Sequence, residues 1–353
     1  MLTSLEMPKL SEDNPLLQYY PPLVRKALSY ERQAVTPMHP IYQENKLTVW
    51  KTNSPETSKK VPLLLIPALI NRHYILDLSE KNSLCKALSE AGYEVYLVDW
   101  GTATEEDRWM TFADLFTGPM RRIVRKVTRD AGGRKPVLFG YCLGGIISNI
   151  YTSIFPQDVA GLIALTAPVD FSQTGIMGLW TQQKYLDPYQ LVDAIGNVPP
   201  DLVQNGFTSL RPAQAVRKWQ NAWEKQDNDD LLDSFFILEE WVNDNIPFPG
   251  GTWQDYIHWL YQDNRLFKDE LWIGKHHALL KNVTCPVLNI VADNDHIAPP
   301  EACLPLNDKV GSKDVTAAHM PGGHVGIIAS SRLFGKLVTL VVEWLDGRPS
   351  LLA

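Results

Sequence analysis

Residues 140–145 read Gly-Tyr-Cys-Leu-Gly-Gly and constrain the fold of this chain more than any other stretch. The pattern has the G-x-nucleophile-x-G form of a tight turn between a strand and a helix, with cysteine at the centre. Residues 136–139 before it are typical of a strand, and residues 143–151 after it are typical of a helix. Glycine on both sides of such a strained turn lets the helix pack back against the strand. We therefore interpret Cys142 as an exposed nucleophile rather than as an inert buried cysteine.

Strand-like and helix-like segments alternate around this turn. We predict strands over residues 63–66, 95–98, 137–139 and 162–166, and helices over 82–91, 112–130 and 143–151. Two more strands, over 286–292 and 315–320, and a helix over 333–345 follow near the C terminus. Such alternation implies a parallel sheet that helices cover on both faces.

The strand signal disappears between residues 170 and 267, where six of the chain's eleven tryptophans lie. Proline-containing breaks at 199–200 and 247–251 divide this segment, which is typical of an inserted helical lid with joints. About half of these tryptophans are expected only to fill a core. We predict an α/β-hydrolase fold with a mostly parallel, doubly wound sheet. We divide the chain into an N-terminal lead-in at 1–60, a catalytic core at 61–169 and 268–353, and an inserted cap at 170–267.

Composition excludes several classes of function. The chain has 33 basic and 40 acidic residues and a formal net charge of -7, which argues against nucleic acid as a partner. Its four cysteines have no metal-ligand spacing, so we expect no metal site and a reducing, cytoplasmic environment. The N terminus does not resemble an export signal, and the longest apolar run, 61–70, is too short to span a bilayer.

Candidate partners for Cys142 stand where this fold places them, since the order along the chain is nucleophile, acid, histidine. His324 lies in a glycine-rich loop after the last strand and is the candidate base. Asp293 and Asp295 both follow the strand at 286–292, and Asp295 is preferred because it lies further into the loop. His296 is interpreted as a hydrogen-bonded neighbour of the acid.

An oxyanion hole in this fold needs two backbone N–H groups. Leu143, which follows the nucleophile, supplies the first. Ile70 or Asn71, in the loop after the strand at 63–66, supplies the second. Arg72 and His73 are candidates, together with His296, for contacts with the substrate, for instance with phosphates of a large acyl carrier. An ordinary surface ion pair explains Arg72 equally well.

Cysteine has a chemical meaning at the centre of this turn. A thiolate that attacks an acyl thioester forms another thioester, so the acyl group stays activated and can go on to form an ester with a hydroxyl. A lid rich in apolar and aromatic side chains then serves to exclude water, which would otherwise hydrolyse the intermediate.

Several motifs together resemble those of the polyhydroxyalkanoate synthases. The resemblance includes G-x-C-x-G-G at 140–145, D-H-x-x-P at 295–299 and G-G-H-x-G at 322–326. Further similar stretches extend it over nearly the whole chain, at 71–77, 96–101, 195–199 and 261–264.

The resemblance implies an acyltransferase that polymerises (R)-3-hydroxyacyl-CoA, with 3-hydroxybutyryl-CoA as the expected substrate, and releases CoA. Cys142 would carry the growing polyester chain, His324 would be its base, and Asp295 would help the attacking hydroxyl. Because the D-H motif falls on Asp295, the resemblance decides against Asp293. No cofactor is implied, since the CoA thioester is itself the substrate. The implied location is the cytoplasm, at the surface of the polymer granule.

The short chain resembles the two-subunit synthases, class III or class IV, which need an accessory subunit of the E type or the R type. Residues 171–175 and 246–250 resemble the Bacillus-type enzymes, whereas 321–326 resemble those of purple sulfur bacteria and cyanobacteria, so the class stays open. A homodimer is expected. Two alternatives remain: a cysteine esterase or thioesterase of the same fold, and a granule-binding protein that retains the fold without catalysis.

Overall fold

The computed structural model of the chain describes residues 10–11, 13–30, 34–53 and 61–351. In these residues eight strands form one sheet in the order β1-β2-β4-β3-β5-β6-β7-β8. The strands are β1 (Met38–Glu44), β2 (Leu47–Thr52), β3 (Leu63–Ile66), β4 (Val95–Asp99), β5 (Val137–Tyr141), β6 (Gly161–Leu165), β7 (Val287–Ala292) and β8 (Val315–Met320).

Strands β3 to β8 pair in parallel, and the β1–β2 hairpin extends the sheet by antiparallel pairing of β2 with β4. Every residue of β3, β5, β6 and β7 is buried. Continuous burial of this kind is typical of parallel strands that are covered on both faces. The mostly parallel sheet of the predicted α/β-hydrolase fold is confirmed. The predicted boundary at residue 60 lies outside the described residues.

Helices cover both faces of the sheet. Leu64 and Ile66 of β3 belong to the core on the face of the helix that follows the turn at Cys142, here called the elbow, whereas Leu63 and Leu65 belong to the core on the other face. Alternate side chains of a strand point to opposite faces, so this one short strand contributes to both cores. The helices outside the cap are α1 (Pro22–Ser29), α2 (Leu84–Glu90), α3 (Phe112–Leu115), α4 (Arg121–Asp130), α5 (Leu143–Ile154), α12 (Pro300–Cys303), α13 (Leu306–Lys309), α14 (Gly326–Ala329) and α15 (Ser331–Asp346).

Residues 170–267 are helical and lie between β6 and β7. The helices here are α6 (Gly175–Trp180), α7 (Pro188–Ile195), α8 (Pro200–Leu210), α9 (Pro212–Glu224), α10 (Asp229–Asn243) and α11 (Gly250–Tyr256), and a π-helix (Ile257–Gln262) follows them. Trp241 and Trp253 are buried, whereas Trp180, Trp219 and Trp223 are exposed. Within the described part of the chain, no helix is long and apolar enough to cross a membrane.

Two predicted helices are shortened or interrupted in the structure, whereas the helices predicted over 143–151 and 333–345 are slightly longer. The helix predicted from residue 82 begins at Leu84, because Ser83 caps it and Asn82–Ser83 pair with Asp77–Ser79 as a short antiparallel ladder. The helix predicted over 112–130 contains a π-helical turn (Phe116–Met120) between α3 and α4. Pro119 lies in that turn, where its missing N–H removes a helical hydrogen bond.

The elbow helix α5 packs directly against the backbone at the end of β3. A Cβ atom on Gly144 would lie 1.9 Å from the carbonyl oxygen of Ile66, and one on Gly140 would lie 2.4 Å from that of Gly144. Neither distance is compatible with a side chain. The two glycines therefore let α5 fold back over the sheet, and they place the loop after β3 beside Cys142.

This contact predicts that Gly144→Ala destabilises the protein, while the same substitution in another helix does not. A new methyl group at residue 144 has no room, and we expect the free energy of unfolding to fall by about 2 kcal/mol or more. Gly335, an exposed residue of α15, has no atom within 4 Å of the Cβ that alanine would add. Gly335→Ala should raise the free energy by about 0.5–1 kcal/mol.

Urea denaturation of both variants checks the prediction. Equal effects of the two substitutions would show that the close approach of α5 to β3 does not constrain the fold.

Candidate active site

Cys142 occupies the turn between β5 and α5 with φ 57° and ψ -126°. A positive φ is rare for a residue other than glycine and costs energy that the surrounding structure must supply. The Cys142 N–H donates to the Leu165 carbonyl at 3.0 Å, and the Cys142 carbonyl accepts from Gly145 at 2.8 Å. These bonds hold the turn, and they leave the partly exposed thiol at the C-terminal edge of the sheet.

His324 and Asp295 form a buried hydrogen-bonded pair next to this turn. Nδ1 of His324 lies 2.6 Å from Oδ2 of Asp295, and the two side chains are 7% and 0% exposed. The residues follow β8 and β7, which are adjacent parallel strands, so both loops emerge at the edge of the sheet where the elbow lies. The structure thus brings the three predicted residues, Cys142, Asp295 and His324, to one place.

The second candidate acid, Asp293, makes a different contact. Its carboxylate lies 2.9 Å from Nδ1 of His319, and both of these side chains are exposed. Asp295, by contrast, turns inward, and its Oδ1 accepts the N–H groups of Ile297 and Ala298 at 2.8 Å each. These two bonds fix the carboxylate that faces His324.

The protonation of His324 depends on its two neighbours. Burial on its own lowers the pKa of His324, but the Cys142 sulfur and the Asp295 carboxylate outweigh burial and raise this pKa to about 10. Nε2 of His324 is buried and has no nitrogen or oxygen partner among the described residues, so it is the ring atom left to interact with the Cys142 sulfur. An imidazolium between a thiolate and a carboxylate is the charge arrangement that activates a cysteine nucleophile.

Two backbone N–H groups are available for an oxyanion. The N–H groups of Leu143, at the start of α5, and of Ile70, in the loop after β3, donate to no oxygen of the described residues. Ile70 also lines both cavities next to Cys142. The backbone N–H of Asn71 stays the other predicted donor. Asn71 lines the first of these cavities but not the second, and its side chain hydrogen-bonds to Asn245 of the cap.

Cys142 lies between two cavities of about 110 and 70 Å³. Each is several times larger than the roughly 15 Å³ that one water molecule needs on this measure. Ile70, Phe207 and Ile297 line both of them. The first cavity is also lined by Gln204, Trp241, Val242 and His324. The second is also lined by Met177, Trp253, Tyr256 and Tyr261. Much of the wall around the thiol therefore comes from the cap.

The cap residues around the thiol were not predicted as site residues. Phe207 and Tyr256 lie in no motif, and their only sequence signal is the aromatic composition of the segment. Tyr261 begins the stretch 261–264 that resembles the synthases, but no role was predicted for it. Burial raises the pKa of Tyr256 well above its usual value and that of Tyr261 to about 12. Both phenols therefore stay neutral beside the cysteine. No group of side chains in the described residues is arranged to hold a metal ion.

The three residues predicted to contact substrate have protein partners. Arg72 donates to Asp244 at 3.0 Å and to Thr102 at 2.9 Å. His73 lies 3.1 Å from the carboxylate of Asp99. His296 is 3.3 Å from Arg211 of the cap, and burial, together with the Arg211 charge, lowers the His296 pKa. Contacts of these residues with phosphate stay a prediction.

Two protein families match parts of the chain. Residues 61–327 match the family described as alpha/beta hydrolase fold. Residues 31–88 match the family described as Poly-beta-hydroxybutyrate polymerase (PhaC) N-terminus.

Three of the curated relatives share the name poly(3-hydroxyalkanoate) polymerase subunit PhaC. The relative from Haloferax mediterranei is 36% identical over 317 residues, which cover 89% of this chain and 64% of the relative. This chain thus spans less than two thirds of that protein. The relative from Allochromatium vinosum is 34% identical over 319 residues, which cover 89% of this chain and 89% of the relative. The relative from Synechocystis is 33% identical over 321 residues, which cover 89% of this chain and 85% of the relative.

Solved structures show the same fold at low sequence identity. A monoacylglycerol lipase from Paleococcus ferrophilus matches with a TM-score of 0.52 and 21% identity, over 86% of this chain and 99% of the lipase. A lipase described as putative, from Acinetobacter baumannii, matches with a TM-score of 0.54 and 13% identity, over 98% of this chain and all of the lipase.

The charge arrangement predicts how the site titrates. His324 should titrate well above the ordinary histidine value of about 6.5, so its ring stays protonated as the pH rises through neutrality. Cys142→Ala removes the neighbour that raises the His324 pKa most, so this pKa should fall while the burial that lowers it remains. Selective ¹³C labelling of the histidine rings and NMR titration of both proteins measure the change. An unchanged His324 pKa in Cys142→Ala would show that sulfur and ring are not coupled.

Proposed function

The chain belongs to the poly(3-hydroxyalkanoate) polymerase (PhaC) family, and on that premise we propose that it polymerises (R)-3-hydroxyacyl-CoA on Cys142 and releases CoA. The expected substrate is 3-hydroxybutyryl-CoA. The observation that carries the proposal is the buried Asp295–His324 pair beside a cysteine in a nucleophilic elbow. No cofactor is required, because the thioester substrate supplies the activated acyl group.

Loading begins with the thiolate of Cys142 and the imidazolium of His324. The sulfur attacks the carbonyl carbon of the CoA thioester, and the N–H groups of Leu143 and Ile70 stabilise the oxyanion that forms. Collapse of the tetrahedral intermediate breaks the bond to CoA. The CoA thiolate leaves with the proton from Nε2 of His324, and the acyl group stays on Cys142 as a thioester.

Elongation uses the same histidine in the opposite direction. The 3-hydroxyl of the next hydroxyacyl-CoA attacks the acyl carbon on Cys142, and its proton passes to Nε2 of His324. The bond to the Cys142 sulfur breaks, so an ester forms and the lengthened chain is held on CoA. Transfer of this chain back to Cys142 releases CoA and completes one cycle.

The contacts of Asp295 support a role through His324 rather than on the hydroxyl itself. Its carboxylate is wholly buried, with Oδ2 on His324 and Oδ1 on two backbone N–H groups. A carboxylate held in this way orients the ring and stabilises the imidazolium. This support matters more for a hydroxyl, whose pKa is far above that of a thiol, than for the cysteine.

Exclusion of water distinguishes a polymerase from a thioesterase of the same fold. The mainly apolar and aromatic walls of the two cavities support transfer to a hydroxyl that is carried in by substrate. The similarity to lipases concerns the fold alone, so it does not favour the alternative of a cysteine esterase or thioesterase.

We also expect contacts with other molecules. These are an accessory subunit of the E type or R type, a second copy of the chain in a homodimer, and the surface of the polymer granule in the cytoplasm. Exposed tryptophans support such contacts: Trp219 and Trp223 of α9 are 44% and 52% exposed and lie one helical turn apart. The third possibility, a granule-binding protein without catalysis, would not need the buried pair at Cys142.

The first functional prediction concerns the four cysteines. The wild-type protein, with a candidate accessory subunit, should release CoA from (R)-3-hydroxybutyryl-CoA and form insoluble polyester. Cys142→Ala should lose about 10⁴-fold or more of this activity, because only positioning and the oxyanion hole remain. Cys85→Ala and Cys285→Ala should keep most of it, since these thiols lie outside the site. Cys303→Ser should also keep most of it, because serine retains a donor to the Ala298 carbonyl, to which the buried Cys303 thiol donates at 3.5 Å.

Assays of CoA and of polymer must be run together. CoA release with free hydroxy acid and without polymer would identify a thioesterase, and full turnover by folded Cys142→Ala would refute the assignment of the nucleophile.

The second functional prediction separates loading from elongation. Asp295→Asn should still release about one CoA per cysteine in a first rapid phase, but later turnover should be slowed by about 10²-fold or more. His324→Gln should lose both phases. Asp293→Asn is the matched control, because Asp293 follows the same strand yet contacts His319, and it should behave as wild type.

Rapid-quench measurement of CoA resolves the two phases. Absence of the first phase in folded Asp295→Asn, or an elongation defect in Asp293→Asn instead, would show that the acid is wrongly assigned.

A further inference from the structure

The C-terminal end of helix α10 is bonded to the loop that carries the second oxyanion donor. We define the oxyanion loop as residues 67–74 and the cap latch as residues 241–246. Nε1 of Trp241 donates to the Arg72 carbonyl at 3.0 Å, and the Ile246 N–H donates to the Ile70 carbonyl at 3.3 Å. The side chains of Asn71 and Asn245 are also hydrogen-bonded. The cap latch and the oxyanion loop are thus joined at several points.

Asp244 connects two points of the oxyanion loop at once. Its Oδ1 accepts from Nε of Arg72 at 3.0 Å, and its Oδ2 accepts from the Tyr74 hydroxyl at 3.0 Å. Hydrogen bonds to a carboxylate are stronger than those between neutral groups. Tyr74 is buried, whereas the Asp244 side chain is 41% exposed, so Asp244 can be replaced without opening the core.

The oxyanion loop is held from two sides at its distance from Cys142. On the core side, the Trp100 indole donates to the Pro67 carbonyl at 3.1 Å, Arg72 donates to Thr102, and Nδ1 of His73 lies 3.1 Å from the carboxylate of Asp99. Ile70 lies between Pro67 and Arg72. On the cap side, the cap latch holds Ile70, Arg72 and Tyr74. An oxyanion donor must be placed to within about 0.5 Å to be effective.

We propose that Asp244 is a positioning residue. Through it, the geometry of the oxyanion hole depends on whether the cap latch is bound to the oxyanion loop. This inference rests on the proposed acyl transfer to Cys142. When the cap latch is bound to the oxyanion loop, Asp244 holds Arg72 and Tyr74, and the Ile70 N–H points to the oxyanion. When the cap latch is displaced, the Cys142–His324 pair is intact but the second donor is lost. The cap would then control acylation by placing the Ile70 N–H group, and not only by controlling the access of substrate to Cys142.

Two reagents distinguish this role from a general effect on the thiol. Acylation of Cys142 by p-nitrophenyl acetate passes through a tetrahedral oxyanion, whereas alkylation by iodoacetamide is a direct displacement that forms none. Neither reagent contains CoA, so a contact between Arg72 and phosphate does not affect the result. Loss of a single oxyanion donor commonly costs about 10²–10³-fold in rate.

We expect Asp244→Ala to slow acylation by about 10-fold or more and to leave alkylation within about twofold of wild type, because one donor is misplaced rather than removed. Asp244→Asn, which keeps hydrogen-bonding atoms but loses the charge, should be intermediate. Glu239→Gln is the matched control: Glu239 lies in α10, which ends directly before Asp244, and its carboxylate pairs with Lys218 at 2.6 Å rather than with the oxyanion loop. It should leave both rates unchanged.

Parallel loss of both rates in Asp244→Ala, an unchanged acylation rate, or an equal loss in Glu239→Gln would overturn the proposal. If Asp244→Ala does not fold, Tyr74→Phe removes one of the two hydrogen bonds to Asp244 and should slow acylation selectively. A wild-type protein that makes no polyester would refute the proposed function. In that case a selective acylation defect in Asp244→Ala would still support the positioning role.

Discussion

The rest of the site depends on the backbone of one residue, Cys142, being held at a positive φ. That conformation is unfavourable for a cysteine, and the structure retains it because β5 and α5 are fixed on either side. Gly140 and Gly144 allow this by leaving no side chain between α5 and the strand ends. The same close approach presents the Leu143 N–H and brings the oxyanion loop alongside. Nucleophile and oxyanion hole are therefore two results of one packing constraint.

The buried Asp295–His324 pair and the exclusion of water by the cap complete the site. The Asp295–His324 pair is almost fully buried, and a buried pair of this kind is tolerable only because both Asp295 oxygens are hydrogen-bonded. The free Nε2 of His324 is then available to the thiol. The cap supplies much of the wall of both cavities, and through Asp244 it also reaches the oxyanion loop. The reacting residues thus come from the core and much of the cavity wall comes from the cap, and the two parts of the chain meet at Ile70.

Sequence reasoning located the parts of the site that local patterns specify. The elbow around Cys142 and the loop of His324 were found because glycines and strand ends mark them. Position only ranked Asp295 ahead of Asp293, because Asp295 lies further into the loop but both residues follow β7. The motif resemblance favoured Asp295, and the structure places Asp295, not Asp293, against His324. The contact of Asp244 with Arg72 was not predictable, because it joins residues far apart in sequence without any motif.

The most direct test of the account is to find where the acyl group is attached. Wild-type protein mixed briefly with (R)-3-hydroxybutyryl-CoA, quenched in acid and digested, can be analysed by mass spectrometry. We predict one or more 3-hydroxyacyl units on the peptide that contains Cys142, linked as a thioester that hydroxylamine removes. An adduct on another residue, or free hydroxy acid without any adduct on Cys142, would contradict it.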